Sequence, residues 1–471
     1  MMKKVFTWIV AAVIGMVLLP GCIDDDFTTS PSDVLAFSVD TLDMGVVFTE
    51  EPTTTHRFVV YNHSGKSVSI SNISMRGANA DLFRLNVDGF SGKEFNGVEI
   101  RGNDSIFVLV AATLPANGQT VPVDVDATLS FTTNGVEQSV VVRATGRDVT
   151  RLRALTLTAD ARLTAGKPYQ VFDSLVVAPN ATLTIDPGVE LLFHDGAYMV
   201  VRGSLQAVGQ VDKEISFAGD RQGDVITDVS FDIMSRQWLG MFFTSTSRRN
   251  RMDYCHVRNT VQGVIVDGSL SEQPVDLSMV NTRMRNSGDM VLEAYHANLS
   301  AYGCEFAEAA NGCVYLHGGS HTFNHCTFAN YYLFSALGGP ILQFWHLNDD
   351  SNDESGRVYT SATFANCIIY GNGADLSHGS FDGTDIYLRR CLLKSNGEDD
   401  EHFIECLWGE DPLYYTVRSD YYFNYRLRPE SPAIGAADPA LTAPQAAMDR
   451  YGLQRGTQPD LGAYVYVAPQ E

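Results

Sequence analysis

Residues 34–147 alternate apolar and polar side chains with the period of a β-strand. The alternation is clear in HRFVVYN (56–62), DSIFVLVAA (104–112) and QSVVVRATG (138–146). Clusters of turn-forming residues, such as NHSG at 62–65, separate these runs. About seven such runs in about 110 residues predict a β-sandwich for this segment.

From residue 150 onward the strands predicted by the pattern become shorter, and one sequence motif recurs. Successive copies start 27, 22, 22, 41 and 24 residues apart. A period of this length built from short strands is typical of a solenoid in which each repeat forms one coil. The first motif position is occupied by Cys255, Thr282, Cys304, Cys326, Cys367 and Cys391; two residues later stand Val257, Met284, Phe306, Phe328, Ile369 and Leu393.

Stacked coils would lie about 4.8 Å apart, so the two motif positions predict two columns of inward-facing side chains. An asparagine follows at 259, 286, 330, 372 and 396, where we expect left-handed turns, and Glu308 is the exception. The 41-residue interval is either one coil with an insertion between Tyr331 and Ser361 or two coils, one of them degenerate.

The seven cysteines that follow Cys22 are best explained as buried reduced thiols, because cysteine packs as a small apolar residue. A disulfide between adjacent coils, Cys304 with Cys326 or Cys367 with Cys391, is the alternative. A catalytic thiol is disfavoured because the sequence pairs none of these residues with a base.

The amino terminus has the organisation of a secretion signal. Lys3 and Lys4 precede an apolar stretch over residues 5–19, which is too short for a comfortable membrane span of about 20 residues. The motif LPGC at 19–22 resembles the lipobox of bacterial lipoproteins. This resemblance implies a signal peptide over residues 1–21 and acylation of Cys22; an ordinary signal peptide is the alternative.

Residues 22–33 are predicted to form an acidic flexible tether. The run Asp24 to Asp26 resembles the surface-export signal of Bacteroidetes lipoproteins, which implies an outer-membrane protein facing the cell exterior. The formal net charge is −23, and removal of Lys3 and Lys4 would make it more negative. Because DNA and RNA backbones are anionic, nucleic acid is excluded as an expected partner; the expected partner is the membrane, through the lipid anchor.

Short motifs in residues 34–147 resemble immunoglobulin-like domains of the ASPM–SPD-2–Hydin type. The resemblance implies a spacer or adhesive module without catalytic activity. It rests on Leu42 to Gly45, Val60 to Asn62, Phe83, Leu114 with Pro115, Thr133 with Asn134, and Thr145 with Gly146.

Residues 150–471 resemble right-handed parallel β-helix domains of bacterial surface lipoproteins, including the capping segment at the carboxyl end. The predicted fold class is therefore all-β, an immunoglobulin-like β-sandwich followed by a parallel β-helix. Gly435 and Val465 depart from the capping pattern, which usually has Asp and Glu there. The matching motifs are WLGMFF at 238–243, DPLY at 411–414, YRL at 425–427, SPAI at 431–434, DRYG at 449–452 and PDLGAY at 459–464.

Candidate chemistry is sparse. His317, His321 and His325 are spaced by four residues, but strands and turns would separate them, so we expect turn and surface histidines and no metal site. The segment 348–355 (NDDSNDES) could hold calcium, and the acidic run 398–401 is expected to be solvated. The carboxylate motifs of β-helix hydrolases are missing, so no catalytic residue is assigned and no cofactor other than calcium is considered.

The favoured function is non-enzymatic binding of a glycan or a protein partner at the cell surface, beside a nutrient-uptake system. The alternatives are a polysaccharide lyase or glycoside hydrolase, and a structural or adhesive surface protein. The long interval between coils supplies the candidate binding residues, because aromatic faces and carboxylates suit both sugars and proteins. These candidates are Tyr331, Tyr332, Phe344, Trp345, Asp349 and Asp350.

Overall fold

The computed structural model describes residues 26–226, 229–345, 359–377 and 380–469. Within these residues the chain is all-β with extensive parallel sheets, as predicted, and it contains no α-helix. None of the described segments is a helix long and apolar enough to cross a membrane. Cys22, Asp24 and Asp25 lie outside the described residues, as does the segment 348–355.

The chain forms two compact units, and the first comprises the described residues up to Gly118 together with Pro122–Arg147. Its strands pair mainly antiparallel in two sheets, ordered β1-β3-β9-β5-β6 and β2-β11-β10-β4-β7, with β8 beside β4. The strands are β1 (Leu35–Phe37), β2 (Thr41–Phe48), β3 (His56–Asn62), β4 (Val68–Arg76), β5 (Phe83–Val87), β6 (Phe90–Gly92), β7 (Glu94–Phe95), β8 (Val98–Ile100), β9 (Ser105–Ala112), β10 (Val123–Thr133) and β11 (Val136–Arg147).

One apolar core in this unit draws residues from both sheets. Val60 and Val108 come from the first sheet, and Ile73 and Phe131 come from the second; all four are fully buried. Burial alternates along the strands, as in β9, where every second residue is buried. This alternation is the pattern that was visible in the sequence.

The second unit contains Gln119–Val121 and the chain from Asp148 onward. Its strands are β12 (Thr150–Leu157), β13 (Ala161–Leu163), β14 (Tyr169–Val177), β15 (Thr182–Ile185), β16 (Glu190–Phe193), β17 (Tyr198–Val201), β18 (Ser204–Val208), β19 (Ile215–Gly219), β20 (Asp224–Ile226), β21 (Val229–Ser230), β22 (Gly240–Phe243), β23 (Asn250–Asp253), β24 (Cys255–Val257), β25 (Val264–Asp267), β26 (Val275–Val280), β27 (Arg283–Ser287), β28 (Met290–Tyr295), β29 (Ala297–Tyr302), β30 (Glu305–Ala309), β31 (Gly312–His317), β32 (Gly319–Asn324), β33 (Thr327–Asn330), β34 (Leu342–Phe344), β35 (Thr360–Ala365), β36 (Ile368–Gly371), β37 (Asp385–Arg389), β38 (Leu392–Leu393), β39 (Phe403–Ile404) and β40 (Leu407–Trp408).

Parallel pairing arranges most of these strands in three ladders around one core. The first ladder runs β16-β19-β24-β27-β30-β33-β36-β38-β40. The second runs β17-β22-β25-β28-β31-β34. The third is the ten-stranded sheet that runs from β13 to β39. Central coils are 22 residues long, since Glu305 pairs with Thr327 and Leu299 with His321.

The recurring motif lies on the first ladder, and its apolar positions form the inward columns. Phe306 and Phe328 stack with their ring centroids 5.2 Å apart. All seven cysteines of the second unit are free, and six of them are buried. The backbone N–H of Cys326 donates to Sγ of Cys367 at 3.4 Å, so sulfur atoms of adjacent coils lie side by side without bonding.

In every copy of the motif, the residue before the first motif position has a left-handed backbone conformation. The type of this residue varies from copy to copy. The expected asparagine corners are left-handed at Asn259 and Asn286, with φ of 68° and 54°. Asn330, in contrast, is buried and its side-chain amide bridges N–H and C=O of Ala309. The constant left-handed positions, which the sequence comparison overlooked, are Tyr254, Asn281, Gly303, His325, Asn366 and Arg390.

The 41-residue interval is one coil with excursions, because β32 pairs directly with β35. One excursion occupies residues 331–341, between β33 and β34. The residues between Phe344 and Thr360 are mostly outside the described residues. The alternative of a second, degenerate coil is therefore not what the chain adopts.

Two histidines of the evenly spaced trio are buried, which corrects the expectation that they lie in turns or at the surface. His321 occupies an inward position of the third ladder, where burial lowers its pKa to about 4. His325 bonds Thr442 and the carbonyl of Asp460, and burial lowers its pKa well below the usual value. His317 lies at the end of β31, His321 within β32, and His325 directly after β32.

Residues 411–466, the C-terminal segment, cover the outer face of the first ladder. Tyr414, Tyr425 and Leu427 pack against outward-facing Ala307 and Ala329. The segment is irregular and includes 3-10 turns at Arg418–Asp420, Pro439–Leu441 and Pro444–Ala446. It buries the outer face of the first ladder, where Ala307 and Ala329 are fully buried.

Candidate functional site: an aromatic strip on the second ladder

The outer face of the second ladder carries a group of neighbouring rings that we call the aromatic strip, composed of Tyr295, Tyr315, His317 and Trp345. In β28 and β31 the inward positions are buried apolar residues, and the residues between them face outward. The register pairs Tyr295 with His317 on adjacent coils. Strand pleating and the 22-residue coil therefore place Tyr295 and His317 in one column and Tyr315 in the adjacent column, beside Glu293 and Gln343.

The rings of the strip contact one another along the solenoid. The centroid of Tyr295 lies 5.7 Å from that of Tyr315 and 5.6 Å from that of His317. The ring centroids of His317 and Trp345 lie 4.8 Å apart, with 32° between the ring planes. Because each ring is held by its neighbours, the strip is largely ordered before any ligand arrives.

Trp345 forms one end of the strip because β34 ends at an inward-facing Phe344. The next side chain then emerges on the outer face, where 37% of Trp345 is exposed. The three other rings are partly buried. The partly exposed indole lies beside three smaller rings whose planes are inclined to one another by 56–68°.

A carboxylate lies beside the strip. Tyr295 donates its phenolic hydrogen to Glu293 at 2.6 Å, and Glu293 pairs with Tyr315 in the register. Burial raises the pKa of the Glu293 carboxyl above its ordinary value, and the hydrogen bond from Tyr295 opposes that rise. Burial and the same carboxylate raise the pKa of Tyr295, so the phenol stays a neutral donor.

Of the four predicted binding residues that the structure describes, only Trp345 belongs to this surface. Phe344 is 1% exposed and packs edge-on against Phe364 and Phe381 in the core, so it cannot present its ring to a ligand. Tyr332 is 3% exposed, and its hydroxyl bonds Ser235.

Tyr331 does not belong to the aromatic strip either, because its ring stacks on that of Tyr425 in the C-terminal segment. The six predicted residues are therefore not brought together as one site among the described residues. Asp349 and Asp350 lie outside the described residues.

Sequence reasoning missed Tyr295 and Tyr315 and considered His317 only as a metal ligand. A usable signal was present: residues 293 and 315, like 295 and 317, are one 22-residue coil apart and lie between buried positions. The recurring motif lies on the first ladder only, so its copies do not show which residues of the second ladder are neighbours on adjacent coils.

Among the described residues, one group could bring three metal-ligand atoms together. Asp382, Glu401 and His402 place one such atom each within 4.8 Å of the others. This group lies near the carboxyl end of the solenoid, where the sequence analysis expected only a solvated acidic run.

Comparisons with known proteins do not assign a function. No family model matches the chain, and no curated protein matches it. The structure is similar to part of a Porphyromonas gingivalis W83 protein of unknown function, with 16% identity and a TM-score of 0.19. That similarity covers 27% of this chain and 51% of the other, so the chain spans about half of that protein's length.

Two further solved structures show similar partial matches. A family 123 glycoside hydrolase from Clostridium perfringens is 8% identical over 26% of this chain and 30% of its own, with a TM-score of 0.19. The PapD-like domain 7 of human CEP192 is 11% identical over 26% of this chain and 90% of its own, with a TM-score of 0.17. Scores this low carry no argument, so function must be argued from the geometry.

Proposed function

We propose that this protein binds a linear glycan along the aromatic strip while a lipid anchor holds it at the cell surface. The observation that carries the proposal is the series of ring contacts from Tyr295 through His317 to Trp345 on the outer face of the second ladder. Aromatic faces pack against the C–H faces of sugar rings, and the hydroxyls of those rings need polar partners at the edge.

The shape of the strip favours an extended polymer over a compact protein partner. Rings recur from coil to coil in one column, so the apolar surface is narrow and runs along the solenoid axis. A protein interface is generally broader and has a central cluster of buried anchors. Glu293 and the hydroxyl of Tyr315, at the side of the column, suit the hydroxyls of a sugar.

The rest of the architecture fits this proposal. We propose that the second unit is a right-handed parallel β-helix and that the first unit is an immunoglobulin-like β-sandwich of the ASPM–SPD-2–Hydin type acting as a spacer. Three parallel ladders sharing one core support the assignment of the second unit as a β-helix. Two sheets sharing one core support the assignment of the first unit as a β-sandwich. Acylation of Cys22 would place the molecule on the outer membrane, where an external glycan is within reach.

Binding to immobilised polysaccharides, compared between the wild type and single variants, tests the proposal. We expect Trp345→Ala and Tyr315→Ala each to weaken binding of the preferred glycan at least tenfold, with the melting temperature little changed for Trp345→Ala. Tyr422→Ala is the matched control, because Tyr422 is an exposed tyrosine on the C-terminal segment. Equal binding by all three variants would contradict the proposal, as would binding of a protein but of no glycan.

The anchor is tested separately. Cys22→Ser should release the protein from the membrane fraction into the soluble fraction. Unchanged membrane association in that variant would refute acylation at Cys22. Digestion by an external protease on intact cells is expected if the protein faces outward, whereas protection until lysis would place it on the inner side.

A further inference from the structure

We propose that Asp382, Glu401 and His402 form a binding site for a divalent transition metal of the zinc class. The three residues lie at the carboxyl end of the solenoid, beside a cleft of about 370 Å³. Asp382 and Glu401 are exposed and His402 is buried. The site is independent of the aromatic strip and of the function proposed above.

The orientation of His402 is fixed by its surroundings. Its Nδ1 lies 2.9 Å from the carbonyl oxygen of Ile386, and a carbonyl can only accept. Nδ1 therefore carries a hydrogen, and Nε2 is the ring nitrogen that can bind a metal ion through its lone pair. The His402 ring is stacked on that of Tyr387, with centroids 5.5 Å apart, and its centroid lies 6.0 Å from that of Phe381. These neighbours restrict rotation of the imidazole.

Nε2 of His402 has no hydrogen-bond partner in the protein, although the residue is only 4% exposed. A buried acceptor without a partner costs about 1–3 kcal/mol, so such an atom usually has a ligand. The atom points at the carboxylates: Glu401 Oε1 lies 3.7 Å away, beyond hydrogen-bonding distance. A hydrogen bond from Nδ1 to a carbonyl is also the usual support behind a metal-binding imidazole.

The spacing suits a metal with short bonds. Bonds of about 2.1 Å in a tetrahedral site place two ligand atoms about 3.4 Å apart. The three candidate atoms lie within 4.8 Å of one another, and two of them belong to exposed side chains that can rotate inward. The movement required is therefore about an ångström at carboxylates that no packing restrains.

The other carboxylates of the cleft already have roles in the protein. Asp375 accepts hydrogen bonds from N–H and Oγ of Ser395, both at 2.8 Å. Asp400 accepts from the backbone N–H groups of His402 and Phe403, at 2.7 and 2.8 Å. Asp400 thus holds the turn that positions the ligand set and is not expected to bind the metal through the same oxygen.

The donor set indicates the class of metal. One imidazole with two carboxylates suits zinc or a similar first-row divalent ion, whereas calcium prefers oxygen ligands alone. Three protein ligands leave at least one coordination position for water or another small ligand. The calcium considered from the sequence for residues 348–355 is a different site with different chemistry.

Zinc titration of the full-length mature protein, after chelation and dialysis, tests the proposal. We expect one equivalent of Zn²⁺ to bind and to raise the melting temperature, with Ca²⁺ giving no comparable effect. Asp382→Asn and Glu401→Gln should each weaken zinc binding at least tenfold, and His402→Gln should abolish it. Glu398→Gln is the matched control, since it neutralises an acid of the same run outside the ligand set.

The two carboxylate variants keep the test decisive even if His402→Gln fails to fold, because both side chains are exposed. X-ray absorption of the zinc-loaded protein should show one imidazole and otherwise oxygen ligands. The proposal is overturned if the wild type binds no zinc, if Asp382→Asn and Glu401→Gln bind as tightly as Glu398→Gln, or if sulfur is found in the coordination shell.

Discussion

The outer faces of the first and second ladders are built on the same coils and yet have opposite character. On the second ladder the outward side chains include the rings of the aromatic strip, of which Trp345 is exposed and the other three are partly buried. On the first ladder they include Glu305, which is fully buried and accepts hydrogen bonds from Arg285 and from Tyr464 of the C-terminal segment. Inward columns give this solenoid its stability, whereas outward residues decide which face is covered and which can bind.

The covered face carries charges that would be costly without their partners. The positive charge of Arg285 holds the pKa of Glu305 below its ordinary value, although burial pushes that pKa upward. Three residues away, burial raises the pKa of Glu308 to about 7, despite the hydrogen bond donated by Tyr425. Two glutamates on one strand thus differ because Glu305 is hydrogen-bonded to the Arg285 guanidinium, whereas Glu308 is hydrogen-bonded to the Tyr425 hydroxyl.

The largest expected effect comes from breaking what the two faces share, the inward columns. Cys367→Asp places a carboxylate in a fully buried column without a partner, and we expect a loss of more than about 4 kcal/mol or failure to fold. Cys367→Ala removes only a sulfur and should cost about 1 kcal/mol.

The measurement is chemical denaturation followed by tryptophan fluorescence, which reports the second unit because Trp238, Trp345 and Trp408 all lie there. Equal stability of the Asp and Ala variants would show that this position is not in the core. Titration of the unreduced, denatured protein with a thiol reagent should find the cysteines free.

The second-largest expected effect on stability is a difference between the outer faces of the first and second ladders. Glu305→Ala leaves Arg285 buried without its partner, and removing one member of a buried ion pair costs about 3–5 kcal/mol. Glu293→Ala, at an outward position of the second ladder, is the matched control and should cost less than about 1.5 kcal/mol, since it loses one hydrogen bond. Similar losses from the two variants would contradict the contrast between the faces.

Glu308 predicts a pH dependence of stability. Because its pKa is about 7 in the folded protein and near 4.5 when unfolded, the native state holds more protons between those values. Stability should therefore fall as the pH rises from about 4.5 to 7, by about 3 kcal/mol from this group.

Glu308→Gln keeps the shape of the side chain and removes the titration, so its stability should change less over the same pH range. The comparison is made by denaturation at a series of pH values. An identical pH dependence in the wild type and Glu308→Gln would show that Glu308 is not the titrating group.

The sequence predicted the inward columns well because burial selects apolar side chains at a fixed period. Cys304, Phe306 and Phe328 could be aligned by type alone. The aromatic strip could not be found that way, since outward positions tolerate many residue types and only the register shows which of them are neighbours. The proposed metal site could not be found for the same reason: Asp382 and His402 are 20 residues apart and meet only through coil stacking.

The smallest expected effect on stability is at Trp345, where the open face is most exposed. The indole contacts His317 but is 37% exposed, so truncation removes little buried area and opens no cavity. We expect Trp345→Ala to lower the free energy of unfolding by less than about 1.5 kcal/mol, whereas Phe344→Ala, one residue earlier and inward, should cost about 3–5 kcal/mol. Denaturation of the two variants side by side measures the difference. If Trp345→Ala proves as destabilising as Phe344→Ala, Trp345 is a packing residue. That result would contradict the proposal that the outer face of the second ladder binds the ligand.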